Sequence, residues 1–318
     1  MIEPLIAIFK IVVFPGLAFI TLLGLVYEWI DRKAVARFQN RIGPLYAGPR
    51  GFLQPLADFL KLMAKEDIVP TWADKLLFNA VPLFAVTIPT LASLYIPITG
   101  YPVLPPFEGD LVLVVALTTF FTITAFIAGL ASTNRFSTIG AERAALQLLG
   151  FEIPMFISVA SAAMAAGSLS ITVIAERQFL PFALLQPLGF AVYLIALQAE
   201  LERVPFDIPE AESEIVAGWL TEFSGKKLAF LRLSADIRLV LGAALATAIF
   251  LGGGSGPVLP PIVWFLIKSI AIVIVSAMLR ALFARLRIDQ MVRGAWKYLL
   301  PLSMLQLLMT KILLLVVV

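Results

Sequence analysis

Residues 111–133 read LVLVVALTTFFTITAFIAGLAST, twenty-three positions without one charged side chain. As a helix rising about 1.5 Å per residue this stretch is about 35 Å long, enough to cross the roughly 30 Å hydrocarbon core of a bilayer. The remainder of the chain agrees: 60% of its 318 residues are hydrophobic and only 14% are charged, against about 25% in soluble domains. A mean hydropathy of +0.97 is incompatible with a water-covered surface. The expected class is an all-α polytopic membrane protein forming one membrane domain over 1–318.

Outward from 111–133, seven further stretches are long and apolar enough to span: about 4–30, 76–98, 153–175, 182–201, 236–252, 258–280 and 298–318. Basic residues near span ends favour the cytoplasmic side. Of the 24 Lys and Arg residues, 20 lie in four segments (31–75, 134–152, 202–238 and 280–297), and an eight-helix alternation puts all four on one side. That places the charged loops (31–75, 134–152, 202–235, 281–297) in the cytoplasm and both termini outside. The start, MIEPLIAIFK, has no basic region before its apolar run, so it is expected to be a retained first span. The opposite connections, such as GYPVLPP, are short and turn-rich.

The chain has no Cys and no His. Disulfides, thiol nucleophiles, Cys/His metal sites and Ser–His triads are therefore excluded, and no catalytic or metal-ligating residue is expected. Proton chemistry falls to Asp, Glu, Lys, Arg, Tyr and water. Only three Asn occur (Asn40, Asn79, Asn134), a scarcity that fits a thermophilic source.

Between the fifth and sixth spans the chain reads ERVPFDIPEAESEIVAGWLTEFSG, residues 202–225, with six carboxylates. Asp207, Glu210 and Glu214 have the spacing of one helix face, and Glu200 and Glu202 stand just before them. Carboxylates this close repel, and proton uptake by some of them relieves the repulsion. A relay at the membrane edge, a solvated acidic loop and a docking face for a basic partner all fit. The prolines of VPFDIPE and the return to apolar EIVAGWL favour acids held against the membrane. In NRFSTIGAERAALQLLGFEIPMF, Glu142, Arg143 and Glu152 approach or enter the fourth span, where ionisable groups are costly and mark function. Lys268 lies in mid-span, where it should meet an acid. Lys10 and Lys311 rank below it. The segment RGFLQPLADFLKLMAKEDIVP (50–70) is too polar to span, but Phe52, Leu53, Leu56, Phe59, Leu60 and Met63 follow helical spacing. It is expected to be an amphipathic interfacial helix, either a plain anchor or one wall of a cavity. The last loop, with its single acid Asp289, suits anionic headgroups.

Four of these blocks, RIGPLYAGPRGFLQPLADFLKL, GFEIP, ERVPFDIPEAESEIVAGWLTEFSG and RIDQMVRGAWKYLLPL, together resemble the membrane subunit at the junction of the two arms of respiratory complex I. Homologues of that subunit occur in energy-converting membrane-bound hydrogenases. The similarity runs along essentially the whole chain, in order. It implies that the first loop and the acidic loop form the junction with redox subunits. It also implies that Glu152, Glu200, Glu202, Asp207, Glu210, Glu212 and Glu214 couple redox change to H+ or Na+ movement. Arg41 and Asp58 match charged positions of the first-loop signature. Arg203 and Phe206 fall inside the acidic signature, and with Arg143 they are expected at the junction or a quinone-cavity-like wall. Iron–sulfur clusters, and nickel–iron in hydrogenase relatives, would reside in partner subunits. The expected partners are hydrogenase-like or quinone-reductase-like peripheral subunits, antiporter-like membrane subunits and the bilayer, in a prokaryotic plasma membrane; nothing points to nucleic acid. Two departures stand out. The family's GALRA is GAERA here, introducing Glu142, and its SYE is GFE, Gly150-Phe151-Glu152. They shift the expectation from a quinone site towards a hydrogenase-like or sulfur-reducing branch. A quinone-site subunit of an NADH or reduced-deazaflavin dehydrogenase, a standalone ion-coupled transporter and a purely structural anchor remain the competing readings.

Overall fold

No water reaches a backbone inside hydrocarbon, so each segment has to satisfy its own peptide groups, which a helix does. The computed structural model describes residues 2–317, and the described residues form helices and connections without a strand. The chain enters as α1 (Ile2–Val12), bends around Pro15, and continues as α2 (Leu17–Phe38). After a loop come α3 (Gln54–Met63), α4 (Lys75–Ser93) and α5 (Asp110–Ala131). Next are the long α6 (Arg135–Ala166), the short α7 (Ile171–Glu176) and α8 (Phe182–Leu185), and α9 (Pro187–Glu200). The acidic segment contains only α10 (Glu212–Ile215). The chain then forms α11 (Gly225–Phe250), α12 (Pro261–Leu282), α13 (Ile288–Gly294), a π-turn at Ala295–Leu299, and α14 (Leu300–Val317).

Helix α11 is the axis of the bundle. Every residue from Ile237 to Phe250 is buried, and α2, α4 and α12 pack around it. Close approach is secured by small residues and buried hydrogen bonds: the Tyr193 hydroxyl donates to the Gly242 carbonyl at 3.0 Å, and Gln198 Nε2 donates to the Ser276 carbonyl at 2.6 Å. On the outward faces Leu83, Phe84, Phe120, Leu149 and Leu308 are mostly exposed, as side chains facing lipid should be.

Seven helical segments are long and apolar enough to cross a membrane, and α9, with 14 residues, is the eighth. The expected count of about eight thus holds, with different boundaries. Segment 134–152, expected as a loop, is the first half of α6: Asn134 accepts from the Phe136 N–H at 2.9 Å and starts the helix there. Hydropathy marks where apolar character begins, whereas a cap marks where the helix begins. For the same reason α11 already starts at Gly225 inside the expected loop 202–235, and 281–297 holds α13. The first span breaks near Pro15 and runs on to Phe38, which puts Glu28, Asp31 and Arg32 on a helix. The fifth span is divided at Gln186, with Pro187 opening α9 in the one position where its missing N–H costs nothing.

Candidate functional site

At about 1.5 Å per residue, α9 is about 21 Å long, roughly 12 Å shorter than α5. It ends with Glu200. The chain turns at once: the Glu202 N–H donates to the Ala199 carbonyl at 3.0 Å and Arg203 N–H to that of Gln198 at 3.1 Å. This turn holds Glu202 at φ +52°, a left-handed conformation that a non-glycine residue adopts at a cost and that clusters at functional sites. Further on, Gly218 (φ +53°) presses the turn before Trp219 against α6. A Cβ at Gly140 would lie 2.6 Å from the Trp219 nitrogen, so that contact requires glycine. The acidic segment is thus folded back onto the bundle.

Beneath it lies a cavity of about 390 Å³ between α2, α3, α11 and the acidic segment, lined by seven carboxylates and five guanidiniums. Helix α3 forms one wall through Asp58, Phe59 and Leu62, while Phe52, Leu53, Leu56 and Leu60 around and along it stay exposed. The amphipathic helix is therefore the cavity wall that its pattern allowed. An ion-pair network organises one side. Asp31, with no exposed surface, bridges Arg203 at 2.9 Å and Arg280 at 2.6 Å. Glu28 bridges Arg203 at 3.1 Å and Arg32 at 2.7 Å, and Arg32 continues to Asp58 at 2.7 Å. On the other side Arg285 holds Asp207 at 2.8 Å, and Arg232 faces Glu210 at 3.7 Å.

The cavity is one of a series. Glu202 is the one lining residue it shares with a small void of about 20 Å³, room for a single water, which Gln147, Glu152 and Glu200 also line. Glu152 is in turn shared between that void and an apolar groove of about 470 Å³ between α5 and α6. The Thr119 hydroxyl donates to Glu152 from the groove side. The acids Glu152, Glu200 and Glu202 thus connect a lipid-facing groove to a charged cavity.

Burial pushes three carboxyls of the acidic segment, Glu202, Asp207 and Glu210, above their ordinary range. Glu210 is pushed up to about 7 by burial, with Arg232 opposing and Glu202 and Asp207 adding to the rise. Glu202 is raised by burial against the pull of Arg238. Asp207 is raised by burial in spite of Arg285. Glu214 moves the other way, lowered by its hydrogen bond from Arg143 at 2.5 Å.

Of the residues singled out in the sequence, Asp58, Glu202, Arg203, Asp207, Glu210 and Glu212 line the cavity, and Glu152 and Glu200 continue its line. Phe206 packs edge-on against Phe151, ring centres 4.6 Å apart, and Phe151 lines the void. The others lie elsewhere. Glu214 and Arg143 pair outside the cavity. Glu142 is exposed on α6. Arg41 lines an outer basin of about 740 Å³ that shares Arg32 and Arg280 with the cavity. Lys268 does not meet the expected acid: its ammonium donates to the carbonyls of Leu251 (2.7 Å), Gly253 (3.0 Å) and Ser255 (2.7 Å), capping the end of α11. Carbonyls at a helix end have no helical partner, which is why a cation settles there. Sequence reasoning passed over Glu28, Asp31, Arg32, Asp236, Arg238 and Arg280. The signal was present: Asp236 and Arg238 fall at the head of an apolar span, and Glu28, Asp31 and Arg32 have i, i+3, i+4 spacing.

A family model described as NADH dehydrogenase matches residues 9–311. A membrane-complex relative, one of the subunits of the NADH-quinone oxidoreductase of Dehalococcoides mccartyi, is 42% identical over 292 residues, covering 92% of this chain and 83% of that protein. Its namesake in Carboxydothermus hydrogenoformans is 38% identical over 299 residues, covering 92% and 85%. Among solved structures, a chain of the membrane-bound sulfane sulfur reductase, an archaeal respiratory membrane complex, superposes with a TM-score of 0.85 at 30% identity, covering 98% of this chain and all of that one.

Proposed function

The chain belongs to the NADH dehydrogenase family, together with these NADH-quinone oxidoreductase subunits, and we propose that its line of carboxylates couples electron transfer in attached subunits to ion movement. It is a membrane subunit of a complex I-like oxidoreductase and works among other subunits of a large membrane complex, as its relatives do. A standalone transporter is not favoured.

The charged end, with the cavity, faces the cytoplasm and the attached redox subunits; both termini face outward. With neither Cys nor His, the chain offers no thiolate or imidazole to a cluster, so the redox centres belong to partners. A unit charge arriving about 10 Å from Glu210, at an effective dielectric near 20, contributes about 1.7 kcal/mol, a little over one pKa unit. That is enough to carry a carboxyl titrating near neutrality from half to mostly protonated. Electron arrival thus loads Asp207 or Glu210, and Glu202, Glu200 and Glu152 pass the change onward as protons, or as sodium ions exchanged against them.

Half of the cavity's lining residues are ionisable, a density of charge that suits small ions and polar groups better than an isoprenoid tail. This supports an acceptor of the sulfur or hydrogenase kind in place of a quinone. The reading rests on one observation: Glu202 is the one residue that lines both cavity and void, and Glu152 the one that lines both void and groove. Its test is Glu152→Gln in the intact complex in sealed vesicles, with electron transfer and ion uptake recorded together. At least a tenfold fall in ions moved per electron is expected; an unchanged ratio would overturn the proposal.

A further inference from the structure

Arg238 has an unusual position. Its guanidinium is 6% exposed and lies between two carboxylates, 3.8 Å from Glu200 and 4.0 Å from Glu202. Both separations exceed direct hydrogen-bond reach, and its Nε has no partner. A buried guanidinium normally sits on one carboxylate in a bidentate pair, but this one is shared. What holds it is a flat face: the Phe121 ring centre is 3.8 Å from Cζ. Stacking restrains the group perpendicular to the ring and leaves it free to slide in the plane. A shift of about 1 Å either way completes a hydrogen-bonded pair with one acid and abandons the other.

Two carboxylates and one guanidinium carry a net charge of −1 when fully ionised, and burying a net charge is expensive. One proton makes the trio neutral: one acid protonated, the other paired with Arg238. We propose that Arg238 is the positioning residue of the carboxylate line, a sliding guanidinium that lets Glu200 and Glu202 share one proton between them. A proton arriving on Glu202 from the cavity frees Arg238 to pair with Glu200. Its onward transfer to Glu200 requires Arg238 to return to Glu202, and departure of that proton towards Glu152 resets the trio. Each cycle takes one proton in and gives one out. Two protons together would leave a buried guanidinium unpaired, and none would leave a buried charge.

Other groups facing the trio set its surroundings. Glu152 comes from α6 and Tyr193 from α9, while Asp207 and Glu210 come from the acidic segment. Arg232 and Asp236 lie on α11 itself and line the same cavity, as does Trp219, whose buried indole N–H is turned towards the Glu202 carboxylate. α5 contributes no charged group, only the Phe121 face and the hydroxyls of Thr118 and Thr122.

This inference rests on the proposed carboxylate line, so its test is read beside Glu152→Gln. The intact complex in sealed vesicles carries Arg238→Gln, Arg238→Lys or Phe121→Leu. Ions moved per electron and their pH profile are measured, together with the carboxylic C=O band in infrared difference spectra. Removing the positive charge strengthens proton binding by both acids, so Arg238→Gln is expected to lower the ratio about tenfold. It should also move the profile to higher pH by about one unit and intensify the C=O band. Arg238→Lys, which keeps the charge, should restore most of the ratio. Phe121→Leu keeps the charge but removes the platform, and should shift the profile by about half a unit; it gives the answer if Arg238→Gln does not assemble. A wild-type ratio and profile in Arg238→Gln, or a wild-type profile in Phe121→Leu, would overturn the inference. If Glu152→Gln lowers the ratio while these variants are silent, the carboxylate line stands and only the role of Arg238 falls.

Discussion

Asp31 has no exposed surface, yet two guanidiniums, Arg203 and Arg280, converge on it. A buried ion pair adds little over a well-packed apolar alternative, but removing one partner strands the others and costs about 3–5 kcal/mol. Asp31→Asn is therefore expected to lower the stability of the extracted complex by about 3 kcal/mol, seen as a lower melting temperature and loosened α2–α12 packing. A melting temperature equal to wild type would mean that the bridge is ornamental. Lys268 teaches the complementary lesson at this scale. A charge in mid-span was legible in the sequence, but its partner was not. Backbone carbonyls carry no sequence signal, and only the ending of α11 at Leu251 shows why an ammonium belongs there. Arg238 was equally legible as a charge and was passed over, because it sits at the head of a span, where snorkelling to the interface is the ordinary outcome.

At the scale of elements, the acidic segment depends on protonation for its seat against the bundle. The folded Glu210 carboxyl titrates about 7 against an ordinary 4.5. Between those values the folded state holds more protons than the unfolded one. The contribution of Glu210 to stability is therefore complete below about 4.5 and is lost as pH rises through about 7. Amide protection across 203–224, taken relative to the base-catalysed intrinsic rate, should fall over that window in the wild type and fall less in Glu210→Gln; an equal fall in both would detach the effect from Glu210. The segment's amphipathic neighbour α3 was readable from periodicity alone, because a helix at an interface shows its two faces in its spacing. The start of α6 was not, because its first turns are polar enough to pass for a loop, and Asn134 as a cap outweighs hydropathy there. The shortness of α9 went unread for a related reason: apolar residues on both sides of Gln186 form one continuous run, and the break appears only when Pro187 begins a new helix.

For the whole molecule, composition, spacing and the distribution of Lys and Arg were sufficient for an eight-helix membrane bundle with its charge concentrated in a few segments. What they left out was which acids face one another. Glu214 looked equivalent to Glu210 along the chain, yet one pairs outside with Arg143 and the other faces the cavity. That contrast gives the most direct test of the central claim, that ions follow the carboxylates between the cavity and the groove. The intact complex is reconstituted with Glu202→Gln or with Glu214→Gln, and ions moved per electron transferred are counted in the same vesicles. The ratio should fall at least tenfold in Glu202→Gln and stay at the wild-type value in Glu214→Gln. A wild-type ratio in Glu202→Gln, or an equal fall in both, would contradict the claim.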